Sequence, residues 1–241
     1  MEHPFTWTYA LGMDPDSGWK YFAIGCFVMG VLLLLALRAR AAISKDGEAA
    51  LVPDEGLSAR NVFELVVEAI GSLADTVIGD GNARYLPLLC TFFLYILACN
   101  AIGLVPGFTP PTSDFAITFA LGTVSFIAFN YYGLRQNGVA YLKHFAGPIL
   151  WLAPLIFTLE MIGAFVRPVS LGLRLYGNLF GDHLVLEIFT ELTKVVVPVV
   201  FYLLGTLVTV IQAFVFTLLS MIYIALAVAH HEEGHGEVHA H

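Results

Sequence analysis

Four polar side chains recur along one apolar stretch of the chain at spacings that place them on one face of a helix. These are Glu160, Arg167, Arg174 and Asn178. Residues seven apart are offset by only about 20° around a helix axis, and residues four apart also share a face. The opposite flank consists of leucine, isoleucine, valine and phenylalanine. A polar stripe of this kind predicts an aqueous cavity or a contact with another protein.

Arg174 needs a negatively charged partner, because a guanidinium at membrane depth costs roughly 2.5 to 3.5 kcal/mol on insertion scales. Along its own helix, Glu160 is about 21 Å away and Asp182 about 12 Å away, too far for pairing. The last apolar stretch contains no carboxylate, and its strongly polar side chain is Gln212. The earlier stretches offer only Asp114, at an edge. We therefore predict that the counter-ion is a carboxylate on another polypeptide.

An arginine cannot relay protons, because it stays protonated in proteins, so Arg174 can act only as a fixed charge. A fixed positive charge lowers the pKa of a nearby carboxyl group by about 1 to 3, whereas burial against lipid raises that pKa. A partner carboxyl group would therefore lose its proton beside Arg174 and regain one on leaving. Candidates for titratable or hydrated routes to this point are Glu160, Asn178, Asp182 and His183. The routes must be offset half-channels, since a continuous one would dissipate about 2.3 kcal/mol per charge for each 100 mV.

The composition excludes a soluble domain, because 58% of the 241 residues are hydrophobic and only 12% are charged. Several apolar runs reach the ~20 residues that a helix needs to cross a hydrocarbon core, and no run alternates like a membrane barrel strand. The sequence therefore predicts an all-α polytopic membrane protein. The first 19 residues lack a basic start followed by an apolar core, so the first span itself is expected to target the chain.

The apolar pattern divides a single membrane domain into segments. The predicted segments are an external amino-terminal segment 1–20, a first span 21–37, a cytoplasmic loop 38–84 with an amphipathic interfacial helix over 61–78, a second span 85–105, a third span 115–132, two long helices 149–183 and 195–229, and a His-rich cytoplasmic tail 230–241. Each long stretch has about 35 residues, or about 52 Å of helix, against a hydrocarbon thickness of roughly 30 Å. We therefore expect a hairpin of two steeply tilted helices, with Pro168 allowing a kink in the first.

The distribution of basic residues orients the chain. One side carries seven of them and the other only Lys20 and Lys194; the seven are Arg38, Arg40, Lys45, Arg60, Arg84, Arg135 and Lys143. Because cytoplasmic loops are enriched in lysine and arginine, the amino terminus is predicted outside and the carboxyl terminus in the cytoplasm.

Several of these residues have a structural interpretation beside the functional one. Arg167, next to Pro168, is expected to pair structurally or to extend its charged end to the membrane surface. Gln212 alone would be typical of an interhelical hydrogen bond, and Asp114 of a helix cap. His183, near the predicted turn, is either interfacial or part of a route. Asp182, with Glu187 and Glu191, could instead form a solvated acidic surface.

Two metal-binding interpretations are rejected. Residues 231–235 read HEEGH, which formally matches the HExxH zinc motif, but Gly234 and the absence of a surrounding domain argue against the required helix. Cys26, Cys90 and Cys99 lie in apolar runs without CxxC spacing, so buried thiols are the better interpretation. No cofactor, metal or nucleic-acid partner is expected.

Two motifs on successive long helices resemble those of a known family. Residues 168–178, with the sequence PVSLGLRLYGN, resemble the signature of subunit a of the rotary F-type ATP synthase, and residues 211–216, IQAFVF, resemble its second signature. The run CNAIGLVPG around Asn100 and the run PTSD before the third span extend the similarity over nearly the whole chain. A stand-alone secondary transporter is the alternative, but the inverted repeat expected of one is not visible. A membrane-embedded enzyme would need a cluster of catalytic side chains, which the sequence lacks.

The resemblance implies a proton-translocating stator subunit that is not catalytic by itself. It implies that Arg174 faces the carboxylate of the c-ring, and that half-channels are lined by Glu160, Asn178, His183, Gln212, Asp182 and Asp114. Its implied partners are the c-ring, the subunit b peripheral stalk, indirectly the F1 ATPase sector, and the lipid of a bacterial inner membrane. Two positions depart from the family pattern. Gly205 stands where a polar residue often accompanies the position of His183, and Ala116 stands where an asparagine is frequent.

Overall fold

The structure is a computed structural model that describes residues 18–46, 59–79, 81–105, 107–138, 141, 153–192 and 196–228. Within these helices, some side chains are outside the description, namely those of residues 42–46, 59, 153, 183, 186, 187, 190–192 and 196–198. The predicted His-rich tail and all but the last three residues of the predicted external segment also lie outside the described residues.

The described part is all-helical, as the sequence predicts. It consists of six α-helices, α1 (Trp19–Asp46), α2 (Ala59–Val77), α3 (Leu86–Ile102), α4 (Phe115–Asn137), α5 (Ala153–Leu192) and α6 (Val196–Val228), with short 3₁₀ turns at Asn82–Arg84 and Pro111–Ser113. Four helices are long and apolar enough to cross a membrane: α1, α4, α5 and α6. The fifth apolar helix, α3, has 17 residues, or about 25 Å.

The ends of α3 and α4 follow from local sequence. Helix α3 ends at Ile102 rather than at the predicted residue 105, because Gly103 lies against Pro110, where a Cβ atom would come within 2.8 Å of the proline ring. Helix α4 continues beyond the predicted residue 132 to Asn137. It ends at Gly138, whose φ of 53° lies in the region that favours glycine.

Helix α5 is longer than the sequence pattern indicates. It has 40 residues, or about 60 Å, and continues to Leu192 rather than ending at residue 183. The apolar residues after Asp182 extend the helical pattern, and no proline follows until Pro198. Pro168 lies inside this one continuous helix. The tilt of α5 and α6 relative to a membrane stays a prediction.

The core consists of three apolar clusters. The largest joins α2 to α3, α4 and α6 and includes Ile70, Tyr85, Phe129 and Met221. A second cluster lies between α3, α5 and α6, and a third holds α1 against Cys99 of α3. Helix α2 therefore packs its buried face on the end of the bundle where α4 and α6 end. We call this the α2 end.

Candidate functional site

Helix α5 positions Arg174 by burying the opposite face. Leu171, Leu175 and Leu179, at spacings of four, are buried in the second cluster, against α3 and α6. This spacing places successive leucines on one stripe of the helix. Arg174 is adjacent in sequence to Leu175 but lies on the exposed side. The packing of the leucines therefore fixes the direction in which the guanidinium projects.

The surroundings of Arg174 are apolar and open. Among the residues that the structure describes, none forms a hydrogen bond or ion pair with this side chain. Leu173, its neighbour in sequence, is an exposed apolar side chain. Gly177, one turn further on, has no other atom within 4 Å of the place where a Cβ would stand. The helix surface at Gly177 is thus open and allows close approach by another molecule one turn from Arg174.

Asn178 and Gln212, which belong to the two family-like motifs, are brought together. Asn178 Nδ2 donates a hydrogen bond of 2.7 Å to Gln212 Oε1, which joins α5 to α6. Gln212 is buried, whereas Asn178 is exposed. The interhelical hydrogen bond that was one interpretation of Gln212 is therefore present.

A cleft of about 360 Å³ surrounds this pair. We call it the Asn178 cleft, and its lining includes Gly177, Asn178, Gly181, Asp182, Ile211 and Gln212. Two carboxamides and a carboxylate give the cleft polar groups, and its volume is enough for several water molecules. Arg174 lies one helical turn from Asn178, about 6 Å along the axis towards the α2 end.

The contacts between α5 and α6 set an antiparallel register. The Arg167 guanidinium lies over the Tyr223 ring at 5.5 Å, and Asn178 bonds to Gln212. The two contacts are eleven residues apart on each helix, so Arg167 and Asn178 both reach α6. In this register the α6 residue at the level of Arg174 is Phe216, which is buried and carries no charge.

Glu160 and Arg167 lie towards the α2 end, away from the Asn178 cleft. Tyr141, which follows α4, donates a hydrogen bond of 3.1 Å to Asn130 Oδ1. Burial raises the pKa of Tyr141, the positive charge of Arg167 opposes this rise, and the negative charge of Glu160 adds to it. Both charges therefore act where α4 ends. Arg167 is also engaged with Tyr223, in line with the structural role expected for it.

Asp182, Asp114 and His183 have different outcomes. Asp182 lines the Asn178 cleft. Asp114 caps α4, because its Oδ1 accepts hydrogen bonds from the backbone N–H groups of Ala116 and Ile117 at 2.8 and 3.4 Å; it is not part of the Asn178 cleft lining. His183 lies in α5, but its side chain is outside the description.

Asn100 belongs to this region although the sequence singled it out only as part of a family-like run. It lies on α3, is fully buried and lines a second space that also contains Asp182. An amide in an apolar helix is a signal in itself, because buried carboxamides need partners. What the sequence does not contain is the packing that brings α3 next to Asp182.

Together these features define a class: a polytopic α-helical membrane protein with an exposed, unpaired arginine beside a polar cleft between two long antiparallel helices. Residues 23–225 match the model of the family described as ATP synthase A chain. The chain is 43% identical over 229 residues to ATP synthase subunit a of Bdellovibrio bacteriovorus, covering 94% of this chain and 98% of that one. It is 38% identical over 242 residues to ATP synthase subunit a of Geotalea daltonii, covering 98% and 100%.

A third relative, ATP synthase subunit a 1 of Syntrophotalea carbinolica, is 47% identical over 176 residues, covering 73% of this chain and 74% of that one. The chain therefore belongs to the ATP synthase subunit a family. Family membership over nearly the full length makes it a membrane component of the ATP synthase complex, and the relatives named here are bacterial.

Proposed function

We propose that the chain is the proton-translocating stator subunit of a rotary ATP synthase and that Arg174 faces the ion-carrying carboxylate of the c-ring. The observation that carries this proposal is the exposed guanidinium, which has no partner among the described residues. The open surface at Gly177 supports it, since a second helix bearing a carboxylate could approach closely there. The chain performs no bond chemistry itself.

Arg174 keeps the passing carboxyl group ionised. A guanidinium within a few ångströms lowers the pKa of a carboxyl group, and return to the lipid raises it again. Each carboxyl group therefore gives up its proton on approaching Arg174 and takes one up after passing it. Because the guanidinium never deprotonates, it also blocks a direct proton path between the two sides.

The positions of the polar groups along α5 support two half-channels on either side of Arg174. Asn178, Gln212 and Asp182 lie on one side, at the Asn178 cleft, and Glu160 lies about 21 Å away on the other. With the predicted orientation, the cleft leads to the outside, where His183 also lies in sequence, and Glu160 leads to the cytoplasm.

The remaining assignments follow from the same proposal. The partners are the c-ring, the subunit b peripheral stalk and, through them, the F1 sector, in a bacterial inner membrane with the amino terminus outside. The exposed apolar residues of α1 and α6 suit contacts with lipid and with these partners. The alternative, a stand-alone transporter, would work without any of them.

Purification distinguishes the two functions. Extraction of the native, affinity-tagged chain with mild detergent is expected to yield, in fixed proportion, a ring of small hairpin proteins and a soluble ATPase. Subunit composition is measured by mass spectrometry of the intact assembly. Recovery of the chain alone, active in ion or solute transport after reconstitution, would contradict the proposal.

The Asn178–Gln212 pair is expected to act as one unit in proton delivery. Replacing either residue with alanine removes the hydrogen bond, so each single variant should lower the rate of proton-driven ATP synthesis. The double variant should lower it no further than the more severe single variant, because coupled residues are not additive. Synthesis rates in membrane vesicles test this. If the fold-loss of the synthesis rate in the double variant equals the product of the two single fold-losses, the two side chains act independently.

A further inference from the structure

A groove on the surface of the bundle lies between α3 and α4. Its volume is about 250 Å³, and its lining is almost wholly apolar, consisting of Leu88, Val124, Ile127, Ala128, Tyr131 and Tyr132. We call it the Tyr131 groove. Val124, Ile127 and Tyr131 are exposed, so the groove opens to whatever surrounds the bundle. In a membrane, these surroundings are lipid or another protein helix.

One stripe of α4 runs through the groove and ends in a charge. Val124, Ile127, Ala128 and Tyr131 follow one another at spacings that keep them on one face of the helix, and the next residue in this stripe is Arg135. Arg135 is exposed and lies in the last turn of α4. It forms no hydrogen bond or ion pair with any residue that the structure describes. An unpaired guanidinium therefore lies just beyond the groove, at the α2 end.

A second guanidinium reaches the same end from the start of α3. Arg84 is exposed, lies four residues before Leu88, and places its guanidinium 5.0 Å from the centre of the Tyr85 ring. Tyr85 in turn contacts the ring of Tyr132, which lines the groove, edge to face at 4.7 Å. Because the start of α3 thus meets the last turns of α4, Arg84 and Arg135 lie at the same end of the groove. Among the described carboxylates, none pairs with Arg84 either.

The stripe from Val124 to Arg135 has the depth of one membrane leaflet. The two residues are eleven positions apart, or about 16 Å along the helix axis. This distance is about half of a hydrocarbon core of roughly 30 Å. Tyr131 lies just before the charge, and tyrosines are enriched where hydrocarbon meets head groups. The groove therefore presents apolar, then aromatic, then cationic groups, which is the order that an anionic phospholipid requires.

We propose that the Tyr131 groove binds an anionic phospholipid from the leaflet at the α2 end, with an acyl chain along α4 and the phosphate beside Arg84 and Arg135. Basic pockets between membrane helices bind anionic head groups in this way. A zwitterionic phospholipid gains less, because it carries its own cation next to the phosphate. An apolar helix of a partner subunit would cover the lining but leave both guanidinium groups unneutralised. The site goes beyond the proposed function and does not depend on Arg174.

Photocrosslinking in the intact ATP synthase tests the site directly. Ile127, which is exposed in the groove, is replaced by the photoreactive residue p-benzoylphenylalanine. The complex is placed in vesicles of phosphatidylglycerol and phosphatidylcholine with identical acyl chains and irradiated, and the adducts of the chain are identified by mass spectrometry. The probe should capture phosphatidylglycerol several-fold above its share of the membrane.

Charge variants in the same probe complex test the two arginines. Arg84→Gln and Arg135→Gln should each lower the preference for phosphatidylglycerol by about fivefold, and together by about 25-fold, which corresponds to the contribution of a basic residue near an anionic membrane surface. The matched control is the double variant Arg38→Gln with Arg40→Gln, which removes two exposed arginines from α1. It should keep the wild-type preference.

Ala128→Phe separates binding in the groove from general attraction to the surface. This variant narrows the groove and keeps both charges, so it should also lower capture of phosphatidylglycerol by several-fold. Unchanged capture in Ala128→Phe would show that surface charge alone attracts the lipid and would overturn binding of an acyl chain in the groove.

Three further results would overturn the proposal. They are capture of the two lipids in proportion to their shares, an unchanged preference after loss of both arginines, and an adduct with a protein subunit, which would make the groove an interface between subunits. None of these measurements depends on coupled ATP synthesis. Coupled synthesis in an Arg174→Ala variant would therefore remove the proposed function and leave the lipid site standing, whereas unselective capture at Ile127 would remove only the lipid site.

Discussion

Replacing Arg174 with alanine is expected to reduce proton-driven ATP synthesis and ATP-driven proton pumping to background. Under the proposed mechanism, the variant removes the fixed charge that keeps the passing carboxylate ionised. The α6 residue at the same level, Phe216, is apolar, and Arg167 is engaged with Tyr223. Synthesis and pumping in membrane vesicles with verified assembly measure the effect.

Passive proton conduction should respond in the opposite direction. After the soluble ATPase has been stripped from the membrane, the Arg174→Ala variant should conduct protons at least as well as the wild type, because the guanidinium that separates the half-channels is gone. This combination of lost coupling and kept conduction distinguishes a fixed electrostatic barrier from a residue that merely holds the bundle together. Full coupled synthesis in this variant would exclude the mechanism.

Arg167→Ala is the matched control for Arg174→Ala. It removes the same charge from α5 at a position seven residues before Arg174. It also removes the 5.5 Å contact with the Tyr223 ring. A cation over an aromatic ring contributes about 0.5 to 2 kcal/mol, so a moderate loss of stability is expected. Coupling per assembled complex should be largely kept. Equal loss of coupling in both variants would mean that general positive charge, not the position of Arg174, is what matters.

The sequence was sufficient for the class, and it singled out Arg174, whose role stays a prediction. Runs of apolar residues predict membrane helices because backbone groups in lipid must bond within the helix, and an arginine in such a run is by default a functional hypothesis. The polar stripe from Glu160 to Asn178 also follows from spacing alone. The motif resemblance, which the family match bears out, also implied a partner for Arg174, and that partner stays a proposal.

The sequence was insufficient wherever tertiary packing decides. The position of Asn100 beside Asp182 and Gly205 depends on the approach of α3 to residues more than 80 positions away in the chain, and no local pattern encodes that approach. Helix ends were also misplaced: α5 runs on to Leu192 because apolar residues past Asp182 continue the helix. For Asp114 the sequence left a cap and a channel role open, and the hydrogen bonds to Ala116 and Ile117 establish the cap.

The packing of α4 on α5 gives the other large expected effect. The two backbones approach each other at Gly122, where a Cβ atom would lie 2.5 Å from the Pro168 carbonyl oxygen, and at Gly172, where a Cβ atom would lie 3.0 Å from the Thr118 carbonyl oxygen. Real Cβ atoms do not approach backbone oxygens as closely as 2.5 Å, so the helices would have to separate. Gly122→Ala is therefore expected to destabilise the chain by about 1 to 3 kcal/mol or more, as overpacking of a tight core does.

The amount of Gly122→Ala protein in membranes, and the thermal stability of the extracted complex, measure this effect. Gly163→Ala on α5 is the control, because a Cβ atom there meets no atom within 4 Å, and it should accumulate normally. Gly172→Ala should be intermediate, since its contact is less close. Normal levels and stability of the Gly122→Ala complex would show that α4 and α5 are not held together at this crossing.

The same substitution links packing to function. Pro168 lies six residues before Arg174 on α5, so a displacement of this segment away from α4 also moves the guanidinium, and displacements of about 1 Å are enough to impair positioned catalytic groups. Complexes of Gly122→Ala that do assemble should therefore synthesise ATP more slowly per complex than those of Gly163→Ala. A normal rate per complex would mean that the position of Arg174 is set by the Leu171, Leu175 and Leu179 contacts with α3 and α6 alone, and that the α4 contact serves only stability.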